Sequence, residues 1–224
     1  MENFFSIDGK FFRFINKFTS LISLNFLFII TSLPIITIGV SFYALYQTNL
    51  KLSQNTESYI ARTYFFFWKK ILKQNILLWL PVTILFIFCL INLYILPFMP
   101  ETFFRSLTLC IQFLILLLLQ GFLIYAFSLP DQYRTTLKHT VKNAVILTFK
   151  YLPATFLCIC INALPVSISL LLPKITGYVL AAFIIIGFSG ISFLHTFILQ
   201  LLLKKENLFG NVMMLGSKAL KTGP

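Results

Sequence analysis

Enzymatic chemistry needs carboxylates, imidazoles, thiols or cations held close together, and in this sequence such groups are few and scattered. All six acids, Glu2, Asp8, Glu57, Glu101, Asp131 and Glu206, lie between the long apolar runs and never inside one. A proton relay or ion-coupled pathway built on buried carboxylates is therefore disfavoured. There is no Gly-rich phosphate loop ending in Gly-Lys-Ser or Gly-Lys-Thr, no His-Glu-x-x-His and no Gly-x-Ser-x-Gly, which argues against an ATPase, a zinc peptidase and a serine hydrolase. Cys89, Cys110, Cys158 and Cys160 all fall in apolar runs, and the last two, at i and i+2, face different sides of a helix. They read as small packing residues. No catalytic residue, metal site or cofactor is expected, and the chain reads as a non-enzyme.

His195 is the only acidic or basic side chain well inside an apolar run. It reads first as a neutral imidazole hydrogen-bonded to a neighbouring helix and second as a ligand or pathway residue. Asn25, Asn92 and Asn162, with Gln112, Gln120 and Gln200, are spread one or two per run. That spacing suits interhelical hydrogen bonds, each worth about 1 kcal/mol, as well as a polar cavity. Gly177, Ala181, Gly187 and Gly190 give the last run small surfaces for close helix approach.

The elements that must hold these groups follow from composition. Of 224 residues 58% are hydrophobic and 11% charged, against about 25% charged in soluble domains, and the mean hydropathy is +0.91. The class is an all-α integral membrane protein, a single membrane domain over 1–224. A net charge of +12 in so apolar a chain reads as membrane orientation, not nucleic-acid binding. Charge-free runs cover Phe18 to Leu50, Gln74 to Pro100, Ser106 to Pro130, Tyr151 to Pro173 and Ile175 to Leu203. The first has 33 residues, roughly 50 Å as one helix against a hydrocarbon core of about 30 Å. Either it is one tilted, kinked helix or it is a hairpin turning in Thr31-Ser32-Leu33-Pro34. With one helix, 13 Lys and Arg fall on one side of the membrane and 5 on the other; with a hairpin the split is 16 to 2. The positive-inside rule selects the hairpin, hence six spans near 11–33, 35–52, 75–98, 105–129, 146–172 and 175–203, in a multi-pass cell-membrane protein with both termini cytoplasmic. No cleavable signal peptide is expected, because the apolar stretch after Lys17 is too long and lacks a small-residue cleavage site.

Two cytoplasmic connectors, 53–74 and 130–145, read as basic amphipathic helices. Arg62, Lys69 and Lys73 face one way in the first, with Phe65, Trp68 and Leu72 opposite. In the second, Arg134, Lys138 and Lys142 recur beside Leu137, Val141 and Val145. The six cations form a belt suited to anionic headgroups of the bilayer, at about 1 kcal/mol per charge. Each connector leads into an apolar stretch with a Leu-Pro pair, Leu80-Pro81 or Leu152-Pro153, which reads as a degenerate internal repeat or as ordinary membrane patterning. In the first hairpin, Leu33, Pro34, Thr37 and Gly39 mark a break. Thr31, Ser32 and Thr37 offer hydroxyls to backbone groups freed near the Pro, and Gly39 allows close helix approach. An outer-leaflet turn needing only a Pro is the plainer alternative.

The stretch Thr31-Ser32-Leu33-Pro34-Ile35-Ile36-Thr37-Ile38-Gly39-Val40-Ser41, with Ala44-Leu45-Tyr46 and Leu50-Lys51-Leu52, resembles the N-terminal signature of YesL-like bacterial membrane proteins, a domain of unknown function. So does Pro130 to Tyr133 with Thr136-Leu137-Lys138 and Lys142-Asn143-Ala144. The resemblance implies a link to carbohydrate uptake and supplies no catalytic residue. Three classes of function compete: an accessory or permease-like component beside a sugar transporter, a structural or assembly protein that binds lipid or another membrane protein, and, least favoured, an enzyme acting on lipid. Permeases of the first class couple through a cytoplasmic helix before a Leu-Pro, which Val141 to Pro153 resembles faintly, without the acidic-Ala-Ala opening and the Gly of that helix. The expected partners are the bilayer with anionic headgroups and a sugar-transporter subunit or other membrane protein.

Overall fold

A residue before proline is pushed out of the helical region, so the long first run breaks where its length demands it. In the computed structural model, which describes residues 10–54, 59–70, 72–98, 100, 103–130 and 136–205, helix α1 (Lys10–Ser32) stops before Leu33. A short 3-10 turn, Ile35–Thr37, leads into α2 (Ile38–Ser53). The chain reverses here. Ser41 Oγ donates to Thr31 Oγ1 at 3.0 Å across ten residues of sequence, and Thr37 Oγ1 reaches Thr31 O at 2.8 Å. The first run is thus a hairpin, and its tip is apolar, with Leu33 77% and Ile35 66% exposed.

The remaining helices are α3 (Ile60–Lys70), α4 (Leu72–Ile95), α5 (Phe103–Ser128), α6 (Leu137–Lys150), α7 (Leu152–Leu171), α8 (Thr176–Ala182) and α9 (Phe188–Lys205). A π turn, Phe183–Gly187, joins α8 to α9. No strand occurs among the described residues. Five helical stretches are long and apolar enough to cross a membrane: Ile15–Ser32, Leu72–Phe98, Phe103–Ser128, Leu152–Leu171 and Pro173–Leu202. Their large exposed side chains are apolar, such as Phe86, Ile91, Phe113 and Leu170, as a lipid-facing surface requires.

The segment expected as the second span, 35–52, differs from the other five in its surroundings. At 16 residues, roughly 24 Å, α2 is shorter than the hydrocarbon core. It also does not face lipid. Twelve of its residues are buried, among them Ser41, Gln47, Thr48 and Asn49, and it packs against α1, α3, α4, α5 and α9. Three consecutive polar residues at about 100° per step leave no apolar face wide enough for lipid, so the helix must be enclosed.

One boundary is corrected, and the buried faces of α3 and α6 are defined. In α3 the buried stripe is Thr63, Tyr64 and Phe67, while Phe65 points outward, 41% exposed. Tyr64 sets this rotation, because its hydroxyl lies 2.5 Å from Thr31 Oγ1 beside the hairpin turn. In α6 the buried stripe is Thr140, Ala144 and Thr148, and Val145 is exposed. Small residues are chosen there because α5 comes close at Gly121, where an added Cβ would meet Thr148 Cγ2 at 3.0 Å and Thr155 Cγ2 at 2.8 Å. The span expected over 146–172 begins at Leu152. Pro153 has no N–H to extend α6, so α6 runs to Lys150, the chain kinks at Tyr151, and α7 starts with the Pro in its first turn. The two Leu-Pro pairs therefore occupy different places, since Pro81 lies inside α4. In both halves a short basic helix still precedes a long apolar one.

Candidate functional site

Each arm of the hairpin sends one asparagine to the same residue of α9. On α1, Asn25 Nδ2 donates to Phe183 O at 3.2 Å and Ile184 O at 2.7 Å, and its Oδ1 accepts from the Ser189 amide at 2.9 Å. On α2, Asn49 Nδ2 donates to Ser189 O at 3.0 Å and to Ser192 Oγ. A π turn displaces backbone groups from the regular helical ladder, and in a lipid environment they need partners from protein. Asn25 supplies three such bonds from one fully buried side chain. Gly187 belongs to the same construction, because a Cβ there would sit 2.5 Å from the Phe183 ring.

His195 lies two turns further along α9. Its Nε2 is 3.2 Å from Cys158 O, and its Nδ1 is 2.8 Å from the Tyr46 hydroxyl. A carbonyl only accepts, so Nε2 carries the proton and Nδ1 accepts from Tyr46. The imidazole is thereby committed to joining α2, α7 and α9. Gln47 serves α5 in the same manner: its Nε2 donates to Phe127 O at 3.2 Å and Leu129 O at 2.7 Å, satisfying carbonyls at a buried helix end.

Beside this seam lies a cavity of about 280 Å³, walled by α2, α4, α5, α7, the π turn and α9. Phe42, Trp79, Phe127, Phe183 and Phe188 supply aromatic faces; Gln120, Asn162, Tyr46 and Ser192 supply polar groups. The rings pack on one another, Phe183 with Phe188 at 4.9 Å and Phe42 with Phe127 at 6.1 Å between centroids. Trp79 is fixed at both ends. Its Nε1 donates to Ile35 O of the hairpin turn at 3.0 Å, and its Cβ occupies the space a side chain on Gly39 would need, 2.5 Å from the ideal Cβ position. Gln120 and Asn162 are half-buried, and neither carboxamide has a hydrogen-bond partner among the described residues.

The sequence-derived candidates thus separate. Asn25, Asn162 and His195 converge on the cavity or its supporting seam, whereas Asn92 bonds its own helix, Nδ2 to Phe88 O at 3.2 Å. Thr37 and Gly39 hold the hairpin turn and Trp79; Leu33 and Pro34 are exposed at its tip. Arg62, Lys69, Lys73, Lys138 and Lys142 are exposed on α3, the first turn of α4 and α6, and Arg134 lies outside the described residues. A 3.5 Å contact from Gln74 to Thr140 links the start of α4, which carries Lys73, to α6. All four cysteines are free thiols. None of the six acids is among the described residues, and no group of His, Cys, Asp or Glu there could hold a metal ion. Sequence reasoning missed Gln47, Asn49 and Trp79. The run Gln47-Thr48-Asn49 was the available signal for the first two, and nothing in the sequence marks the π turn that sets the Phe183 ring into the wall.

No curated protein and no solved structure matches the chain. Residues 21–93 match the family described as "Protein of unknown function, DUF624". That segment contains most of α1, the hairpin turn, α2, α3 and most of α4, including the Thr31 to Leu52 stretch that resembles YesL-like proteins. Over this third of its length the chain carries the DUF624 match, consistent with assignment to the YesL-like family.

Proposed function

We propose that this multi-pass membrane protein is a non-enzymatic accessory component linked to carbohydrate uptake, acting beside a sugar-transporter subunit instead of forming the sugar path itself. The link to carbohydrate rests on the YesL-like resemblance. The observation that carries the accessory reading is that Asn25, Gln47, Asn49 and His195 inside the bundle are spent on holding helices together, and the cavity beside them is mainly aromatic. A free sugar presents more hydroxyls than this lining can pair. Purification in mild detergent is expected to bring down a transporter subunit or its ATPase. Recovery of unrelated membrane proteins only would replace this reading with that of a structural or assembly protein, which the same seam of interhelical bonds also favours.

In this reading the hairpin supplies two of six crossings, the termini and both basic helices face the cytoplasm, and the exposed cations rest against anionic headgroups of the cell membrane. A thiol introduced at Glu2 in a chain whose own cysteines are replaced is expected to resist a membrane-impermeant reagent in intact cells and to react after permeabilisation. Labelling from outside would place the N-terminus on the opposite face and return the chain to five crossings.

A further inference from the structure

The cavity between α2, α5, α7 and the π turn has a lining whose chemistry limits what could occupy it. No Lys, Arg, His, Asp or Glu lines it, so a charged occupant would be stranded at low dielectric. Six aromatic side chains line it, Tyr46 among them, which favours a flat or cyclic apolar body. Its volume of about 280 Å³ falls at the small end of small-molecule sites, roughly 300–1,000 Å³. The polar capacity can be counted. Ser192 Oγ is taken, donating to Ser189 O at 3.0 Å and accepting from Asn49. The Tyr46 hydroxyl donates to His195 Nδ1 and keeps an accepting lone pair. The carboxamides of Gln120 and Asn162, from α5 and α7, are both uncommitted. Two carboxamides and one phenol oxygen match one or two hydroxyls on an otherwise apolar molecule.

We infer that this cavity binds an uncharged ring compound with an apolar body and one or two hydroxyl groups, held between the aromatic walls and hydrogen-bonded by Gln120 and Asn162. The site does not depend on the uptake reading. Gln120 and Asn162 support nothing else in the bundle, whereas Asn25, Asn49 and Gln47 all bond backbone of other helices. Replacing the two free carboxamides by leucine therefore removes ligand contacts without removing a helix contact.

The full chain in lipid nanodiscs is suited to the test, because only two tryptophans exist and Trp68→Phe leaves Trp79, in the cavity wall, as sole reporter. The probe is 2-naphthol, with naphthalene and 2-naphthoate as competitors. Saturable quenching of Trp79 by 2-naphthol is expected, with 2-naphthoate competing at least tenfold more weakly. In Gln120→Leu/Asn162→Leu protein, 2-naphthol should bind at least tenfold more weakly while naphthalene binds as well as before, and the melting temperature should not fall. The single variants give the same comparison if the double variant fails to fold. Quenching that rises without saturation, as partition into lipid does, would overturn the proposal. So would unchanged affinity in the leucine variants, or 2-naphthoate competing as well as 2-naphthol.

Discussion

Replacing Gly39 by leucine is expected to leave no folded protein in the membrane, whereas Pro34→Ala should cost only about 0.4–1 kcal/mol. The difference lies in what each residue touches. An added Cβ at Gly39 would meet Trp79 Cβ at 2.5 Å and Cγ at 2.8 Å. Those atoms sit at the root of the Trp side chain, which cannot swing away without moving α4 or giving up the bond to Ile35 O. Even Gly39→Ala should be overpacked by about 1–3 kcal/mol, and leucine by more. Pro34 is exposed at the tip, and the turn is held by Thr37 and Ser41 through Thr31. The yield of monodisperse protein in detergent measures Gly39→Leu, and thermal unfolding measures Gly39→Ala and Pro34→Ala. Trp79→Gly in the Gly39→Leu background should restore part of the loss, because it removes both the Cβ and the Cγ that the new side chain meets. Equal stability of Gly39→Leu and wild type would mean that α2 and α4 are not held apart by this contact.

Asn25→Leu carries the second large effect. It removes the donors to Phe183 O and Ile184 O and the acceptor of the Ser189 amide, leaving buried backbone groups of a π turn without partners. At about 1–3 kcal/mol for a polar group so stranded, with partial relaxation, the variant should lose about 2–4 kcal/mol. Asn92→Leu is the matched control. Its single side-chain bond stays within α4, and its loss should be close to neutral. A common melting temperature for the two variants would show that the π turn is stable without Asn25. Because Phe183 stands on that turn and lines the cavity, Asn25→Leu should also weaken 2-naphthol quenching of Trp79.

What could be read from the sequence depended on how far the cause lay from the residue. The hairpin was legible because its reason is local: 33 uncharged residues exceed one crossing, and Leu33-Pro34 forbids helix at one place. Helix ends near charges and prolines were legible to within a few residues for the same reason, except at Tyr151, where Pro153 acted earlier than the hydropathy pattern implied. The enclosure of α2 was not read, because hydropathy treats 35–52 as an ordinary span and only the run Gln47-Thr48-Asn49 signals otherwise. Which face of α3 and α6 meets the rest of the bundle was not read, because the amphipathic pattern separates cations from apolar residues and does not say which apolar or small residues touch protein. In a bilayer both sides are apolar, and the inner side is chosen by fit, with Thr140, Ala144 and Thr148 against Gly121 as the example. Asn25, Asn162 and His195 could be singled out as polar residues in apolar runs, but the partners of Asn25 and His195 lie 37 to 164 positions away, and Asn162 has no hydrogen bond among the described residues.

The enclosed α2 also dictates an order of events during synthesis. Its partners arrive late: Leu129 is 82 residues downstream of Gln47, Ser189 is 140 downstream of Asn49, and His195 is 149 downstream of Tyr46. At about 5–20 residues per second, Asn49 waits roughly 7–30 s before Ser189 exists. Throughout that interval α2 carries a ring of polar groups that lipid will not accept. The nascent hairpin must therefore be sheltered at the insertion machinery or held at the water side until α9 is made. Synthesis of α9, not insertion of the first helices, is the step that supplies these partners, and a ribosome stalled before α9 leaves α2 without its walls.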